Sequence, residues 1–304
     1  MIDKIPLYKV GTDEDLGGVF RLFQMKSPNS TKTVLPNAPF PTNHPHRHNF
    51  FELLLFTEAS GSHLLDFKNY AINSNSIHVV FPGQAHLIDL DYEKKCTGYI
   101  VAFNVEFLAI YFRQTPRFLN YSFFYDKDCP PILNLEEHHY LSLLDVISKI
   151  TCEQKNEYTR DNIIRSYLNI LLLKLDGLFT KIVPNKIPLA SELFIKFRHL
   201  VERKFEHCHQ VKDYADILQI TPTKLNEICK VAGQKNASDF ILDRILLAAK
   251  RNLMFSNMSN KEIAFRLGFN DPSYFSRFFR NKTGLSPSRF RRKMNEKYPK
   301  SVLL

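Results

Sequence analysis

A chain of 304 residues is long enough for two cores joined by connecting helices. Its 44% hydrophobic and 24% charged content, without any low-complexity tract, excludes wholesale disorder. The net charge of +10 is uneven: residues 181–304 carry +13 and residues 1–180 carry −3, so a basic, polyanion-binding half is joined to a mildly acidic one.

Nucleic acid is the expected polyanion, because no amphipathic basic membrane anchor is evident. Residues 1–18 lack a basic segment followed by an apolar run, so no export signal is expected. The most apolar stretch, Leu168 to Phe179, is interrupted by Lys174 and Asp176 and is too short to span a bilayer. Cys96, Cys129, Cys152, Cys208 and Cys229 are odd in number and form no C-x-x-C pair, which argues against a disulfide framework or a structural zinc site. A reducing, cytoplasmic setting is expected. No G-x-x-x-x-G-K-[ST], G-x-G-x-x-G or G-x-S-x-G sequence occurs, so neither enzymatic activity nor a cofactor is expected.

From about residue 16 to 125, short apolar runs alternate with turn residues: Phe50 to Phe56, Ser62 to Phe67, Ile77 to Phe81 and Thr97 to Asn104. Such spacing predicts a β-barrel or sandwich over residues 1–134. His46, His48, Phe50 and Glu52 stand at period two, so on one strand they project from one face, and Pro82-Gly83 leads to His86 after a turn. Three histidines and a glutamate resemble the ligand set of metal-dependent cupins. Phe40 stands where those proteins have glycine, and Pro82-Gly83 replaces their Pro-x-Gly. His46, His48, Glu52 and His86 are therefore expected to surround an organic effector without metal; a bound metal and a purely structural histidine cluster are the alternatives. His44, His63 and His78 have no usable partner spacing and default to structural roles.

Leu141, Leu144 and Ile147, then Ile163, Tyr167, Leu171, Leu175 and Leu178, recur at threes and fours. This predicts two helices over residues 135–180, offering either a dimer surface or a cover for the β-domain. Residues 181–190, with two prolines, are the expected linker, and 191–304 reads helical throughout.

In that last segment Val211 to Leu218 predicts a supporting helix with Tyr214, Ala215 and Leu218 inward. Thr221-Pro222 opens a second helix whose outer positions are Thr223, Asn226, Glu227 and Lys230. A long helix over Ser238 to Met254 follows. Ser259-Asn260-Lys261-Glu262 then fits a capping box, Gly268 supplies a turn, and Asp271-Pro272 opens another helix. Its inward residues are Phe275, Phe278 and Phe279. Ser273, Ser276, Arg277 and Arg280 lie outside, a stripe suited to base edges in a major groove, with Arg289, Arg291, Arg292 and Lys293 beyond it for phosphates. Two closely joined helices occur twice, which predicts tandem helix-turn-helix units.

The run Glu262-Ile263-Ala264, Gly268-Phe269, Asp271, Ser273 to Phe279, Thr283-Gly284, Ser286-Pro287 and Phe290-Arg291 closely resembles the signature of the AraC/XylS (arabinose-regulator) family. The resemblance extends through Leu225, Gly233, Phe240, Arg244, Ala248 and Leu253. It implies an α+β chain: a cupin-like effector domain, a helical dimerisation segment and a double helix-turn-helix domain on operator DNA. It also implies a homodimer and, for an activator, contact with RNA polymerase. Glu227 departs from the arginine that several relatives carry on the first recognition helix. The competing expectations are a metal-dependent cupin enzyme or metal sensor fused to a DNA-binding domain, and an architectural DNA-binding protein with a purely dimerising β-domain.

Overall fold

The computed structural model describes residues 7–8, 19–26, 45–91, 93–104, 107–108, 131–154, 160–182, 192–233 and 235–297. Phe40, His44, Cys129 and most of the expected linker lie outside them. The chain divides into two compact units, one spanning Pro6–Lys186 and the other running from Ile187 to Leu304.

The first unit is built on strands β1 (Leu7–Tyr8), β2 (Phe20–Lys26), β3 (Arg47–His48), β4 (Phe51–Glu58), β5 (Gly61–Leu65), β6 (Lys68–Ile72), β7 (Ser76–Val80), β8 (His86–Leu90), β9 (Thr97–Phe103) and β10 (Ile132–Asn134). A five-stranded sheet runs β10-β7-β4-β9-β2, a three-stranded sheet runs β6-β5-β8, and β1 pairs with β3. Strand β4 lies inside the larger sheet, antiparallel to both β7 and β9. Its sequence reads as one apolar run instead of an alternation because both of its faces are covered. Leu54 and Phe56 join Val80, Ile88, Leu90 and Ile100 in one core, while Leu53 and Leu55 join Ile77, Val79 and Val101 in another. The first core carries side chains from both sheets, so it fills the barrel; Glu52, two residues from Leu54, shares that face.

The second core is closed by helices α1 (Glu137–Glu153) and α2 (Arg160–Ile182). Tyr140, Leu143, Val146, Ile147 and Ile150 of α1 and Ile164, Leu168, Leu171, Leu172, Leu175 and Phe179 of α2 are buried with residues of the large sheet. Most of the apolar periodicity that predicted a dimer surface is therefore used within the chain to cover the sheet. A smaller set remains outside: Leu141, Ile170 and Leu173 are 54%, 41% and 51% exposed. Arg165 of α2 donates through Nε to the Phe107 carbonyl at 2.8 Å, and its guanidinium lies 4.6 Å from the Phe107 ring centroid.

The second unit contains α3 (Glu192–Lys204), α4 (Val211–Ile217), α5 (Pro222–Gly233), α6 (Ala237–Phe255), α7 (Asn260–Arg266), α8 (Pro272–Thr283) and α9 (Pro287–Lys297). Helix α6 is 19 residues long, about 28 Å at 1.5 Å per residue, and packs against both the α4–α5 and the α7–α8 pair. Among the described residues, no helix is long and apolar enough to cross a membrane.

Candidate functional site

The α7–α8 pair begins with the expected caps. The Glu262 amide donates to Ser259 Oγ at 3.2 Å and the Ser259 amide to Glu262 Oε2 at 2.7 Å, so two otherwise orphaned donors are satisfied. Gly268 takes φ +78° in the turn. Asp271 Oδ1 accepts from the Ser273 amide at 2.8 Å, Pro272 fills the first helical position, and Gly284 ends α8 in the left-handed conformation. Phe275 and Phe279 are fully buried; Phe278 is half-buried against Phe269, with ring centroids 5.5 Å apart. Ser273, Arg277 and Arg280 are exposed. Arg277 lies over Tyr274, its guanidinium carbon 5.9 Å from the ring centroid. Ser276 is different: it is half-buried and its hydroxyl donates to the Pro272 carbonyl at 2.9 Å.

The α4–α5 pair repeats this burial position by position. Leu225 and Cys229 take the places of Phe275 and Phe279, and Thr223, Glu227 and Lys230 stand exposed where Ser273, Arg277 and Arg280 stand. Three differences follow from residue identity. The left-handed turn position is Gln219, at φ +56°, not glycine. Glu227 pairs with Lys224, one turn earlier, at 3.3 Å, so its charge is partly met before any DNA approaches. Asn226 is half-buried, and its Oδ1 accepts from the Ala237 amide at 3.0 Å, capping the first turn of α6.

Arg291 also takes a part that spacing did not predict. Its Nε donates to the Leu253 carbonyl at 3.0 Å and its Nη2 to the Met258 carbonyl, so the guanidinium ties α9 to the end of α6 and the segment after it. Partial burial pulls its pKa down from the ordinary guanidinium value. Arg292 and Lys293 are exposed, as is Arg289. Asn226, Ser276 and Arg291 thus have framework partners, whereas Thr223, Lys230, Ser273, Arg277 and Arg280 form the outward surface. The α3–α4 junction also meets the α7–α8 pair: the His209 ring donates through Nε2 to the Leu267 carbonyl at 2.7 Å, and its ring lies 5.0 Å from that of Phe269.

In the β-unit the expected single strand from His46 to Glu52 is broken. Strand β3 ends at His48, residues 49–50 bend, and β4 begins at Phe51, so period two does not run through the motif. The four residues nevertheless meet inside the barrel, at 0–3% exposure. His46 bridges to His86 through paired backbone hydrogen bonds of 3.0 and 2.9 Å. His48 Nδ1 donates to the Phe50 carbonyl at 2.7 Å while its ring stacks on Phe50 at 4.1 Å. Glu52 Oε2 lies 3.5 Å from His48 Nε2 and 3.7 Å from His86 Nε2.

Two further histidines complete the cluster. His63 Nε2 contacts His86 Nδ1 at 3.2 Å, and His63 Nδ1 contacts His78 Nδ1 at 2.8 Å. Both are fully buried. Desolvation pushes the pKa values of His63 and His86 well below the ordinary imidazole value, with neighbouring histidines adding to the effect, and desolvation brings His78 to about 3. Both effects favour the uncharged form of these rings. Their sequence signal is the inward register of β5 and β7, which becomes informative only once the sheets are paired.

A family profile described as an AraC-like ligand binding domain matches residues 37–145, and one described as a helix-turn-helix domain matches residues 214–293. The transcriptional activator RhrA of Rhizobium meliloti is 33% identical over 112 residues, 36% of this chain and 35% of that protein. The regulator YijO of Escherichia coli is 28% identical over 34% of this chain and 36% of its own length. The chain thus spans about a third of the length of these two relatives. The activator RhaS of an Enterobacter species is 22% identical over 87% of this chain and 92% of its own. Among solved structures, ToxT of Vibrio cholerae aligns over 90% of this chain and 98% of its own, at 16% identity and a TM-score of 0.39. The β-unit and the helical unit each carry a match of their own, in the order in which such regulators carry them, and the chain belongs to the AraC/XylS family of transcription regulators.

Proposed function

We propose that this chain is a ligand-responsive transcription activator that binds a double-stranded operator through α5 and α8 and takes a small-molecule effector in the barrel where His46, His48, Glu52 and His86 meet. One observation carries the DNA reading: two helices repeat the same buried and exposed positions, and one of them turns Ser273, Arg277 and Arg280 outward together. Arginine can bond guanine O6 and N7 bidentately in the major groove, and the excess positive charge of residues 181–304 supplies phosphate affinity. The names of RhrA and RhaS support activation, with RNA polymerase as a further partner. The protein works in the cytoplasm as a homodimer.

The test is a DNA titration. An operator is first selected from a randomised duplex library with the unaltered chain, and the affinity of Arg277→Ala for it is then measured at fixed salt. Loss of the bidentate contact costs about 1–3 kcal/mol, roughly five- to 150-fold, for the selected site with little change for random DNA. Unchanged operator affinity would remove α8 from the interface.

A further inference from the structure

The barrel cluster contains polar atoms whose arrangement hydrogen bonding does not explain. One ligand atom each of His48, Glu52 and His86 lies within 4.8 Å of the other two, and His48 Nε2, Glu52 Oε2 and His86 Nε2 are buried with no hydrogen-bond partner. The 3.5 and 3.7 Å separations across Glu52 exceed the 2.7–2.9 Å of a charge-assisted bond. Two donors each about 2.1 Å from one tetrahedral ion lie about 3.4 Å apart, close to both separations.

The ring protons point to the same occupant. The carbonyl facing His48 Nδ1 takes a proton from that nitrogen, and with Nε2 unprotonated the ring would turn a lone pair towards the carboxylate of Glu52. In that arrangement two acceptors face each other, and a cation between them is what joins them. Along the chain His78–His63–His86, each neutral ring has one proton and the two contacts must share a direction. When His86 Nδ1 donates to His63 Nε2 and His63 Nδ1 donates to His78 Nδ1, His86 Nε2 is left as a second lone pair on the same point. Phe50 holds His48 in the tautomer a metal ligand needs, and with the chain running in that direction His63 does the same for His86, as outer partners of ligating histidines do.

We propose that His48, Glu52 and His86 bind one divalent transition-metal ion inside the barrel, with His63 and His78 orienting His86 from behind. Two imidazole nitrogens and one carboxylate oxygen suit zinc or ferrous iron and leave a coordination position for an exogenous donor, so an effector with an anionic oxygen is the class that fits. This deepens the reading of the barrel as the effector site and replaces the metal-free expectation with a metal-dependent one.

The full chain, stripped with chelator, is loaded with Zn2+, freed of excess ion by gel filtration and analysed for bound zinc, with Co2+ absorption as a second readout. The expected result is one ion per chain, a raised unfolding temperature, and the visible bands of four- or five-coordinate Co2+. Glu52→Gln and His86→Ala lose the ion, and His63→Phe weakens binding by about ten- to a hundredfold. No retained zinc and no Co2+ bands in the unaltered chain overturn the proposal, whatever the folding of the variants. Zinc retained by folded Glu52→Gln and His86→Ala, or lost instead from His138→Ala on the surface, also overturns it. Metal content is read without DNA, so this failure and a failure of the DNA reading are separate results.

Discussion

Positions 227 and 277 occupy equivalent places on their helices, yet one carries a carboxylate and the other a guanidinium. Glu227 and its partner Lys224 are both 59% exposed, and a pair so open to solvent contributes at most about 1 kcal/mol to stability. On the proposed DNA surface a carboxylate would accept from cytosine N4 and repel phosphate. Glu227→Ala is expected to relax base preference at one operator position while changing overall affinity by less than about tenfold, as read by repeating the library selection. A large affinity change with unaltered preference would contradict a base-reading role. Asn226, its neighbour, behaves oppositely. Asn226→Ala removes the side-chain acceptor from the Ala237 amide and should cost about 1 kcal/mol in urea unfolding, leaving base preference as it was.

At the scale of elements, the two helix-turn-helix units differ most in their turns. A Cβ on Gly268 would lie 2.2 Å from the Glu206 carbonyl oxygen and 3.1 Å from His209 Nε2, so glycine is needed both for φ +78° and for the approach of the α3–α4 junction. Gly268→Ala is expected to destabilise the helical unit by more than about 2 kcal/mol and to loosen the contact between that junction and the α7–α8 pair. Gln219 sits in left-handed space with no such history of fit, so Gln219→Gly should stabilise by about 1 kcal/mol. Urea unfolding of both variants checks the pair, and a Gly268→Ala protein as stable as its parent would refute the close approach. The second unit was legible in sequence because its signals are local: capping box, Asp-Pro and glycine each act within a few residues. Framework partners were not legible, since Asn226 meets Ala237, Arg291 meets Leu253 and His63 meets His86 only through tertiary packing. The bend after His48 was hidden for a related reason: the register of β3 comes from β1 and His86, not from the alternation of its own residues.

At the scale of the molecule, helices α1 and α2 have two faces with different fates. One is buried on the sheet. The other keeps Leu141, Ile170 and Leu173 in solvent, with Lys174 Nζ donating to Ser142 Oγ at 2.6 Å across the helix pair. Solvent-facing branched side chains gathered on two adjacent helices are a loss in water, and burying each against a second copy recovers about 1.5–3 kcal/mol at full burial. Leu173→Glu places a charge in that patch without touching the sheet-facing core. Sedimentation should then show the mass of the assembly halved, with the unfolding transition of the β-unit little changed. DNA binding separates this from a general defect. Each chain keeps both helix-turn-helix units, so affinity for a single operator site should hold, while affinity for DNA bearing two sites should fall by the tethering advantage, about 100- to 10,000-fold. An unchanged mass for Leu173→Glu would assign the exposed leucines to some other use and leave the proposed homodimer without its surface.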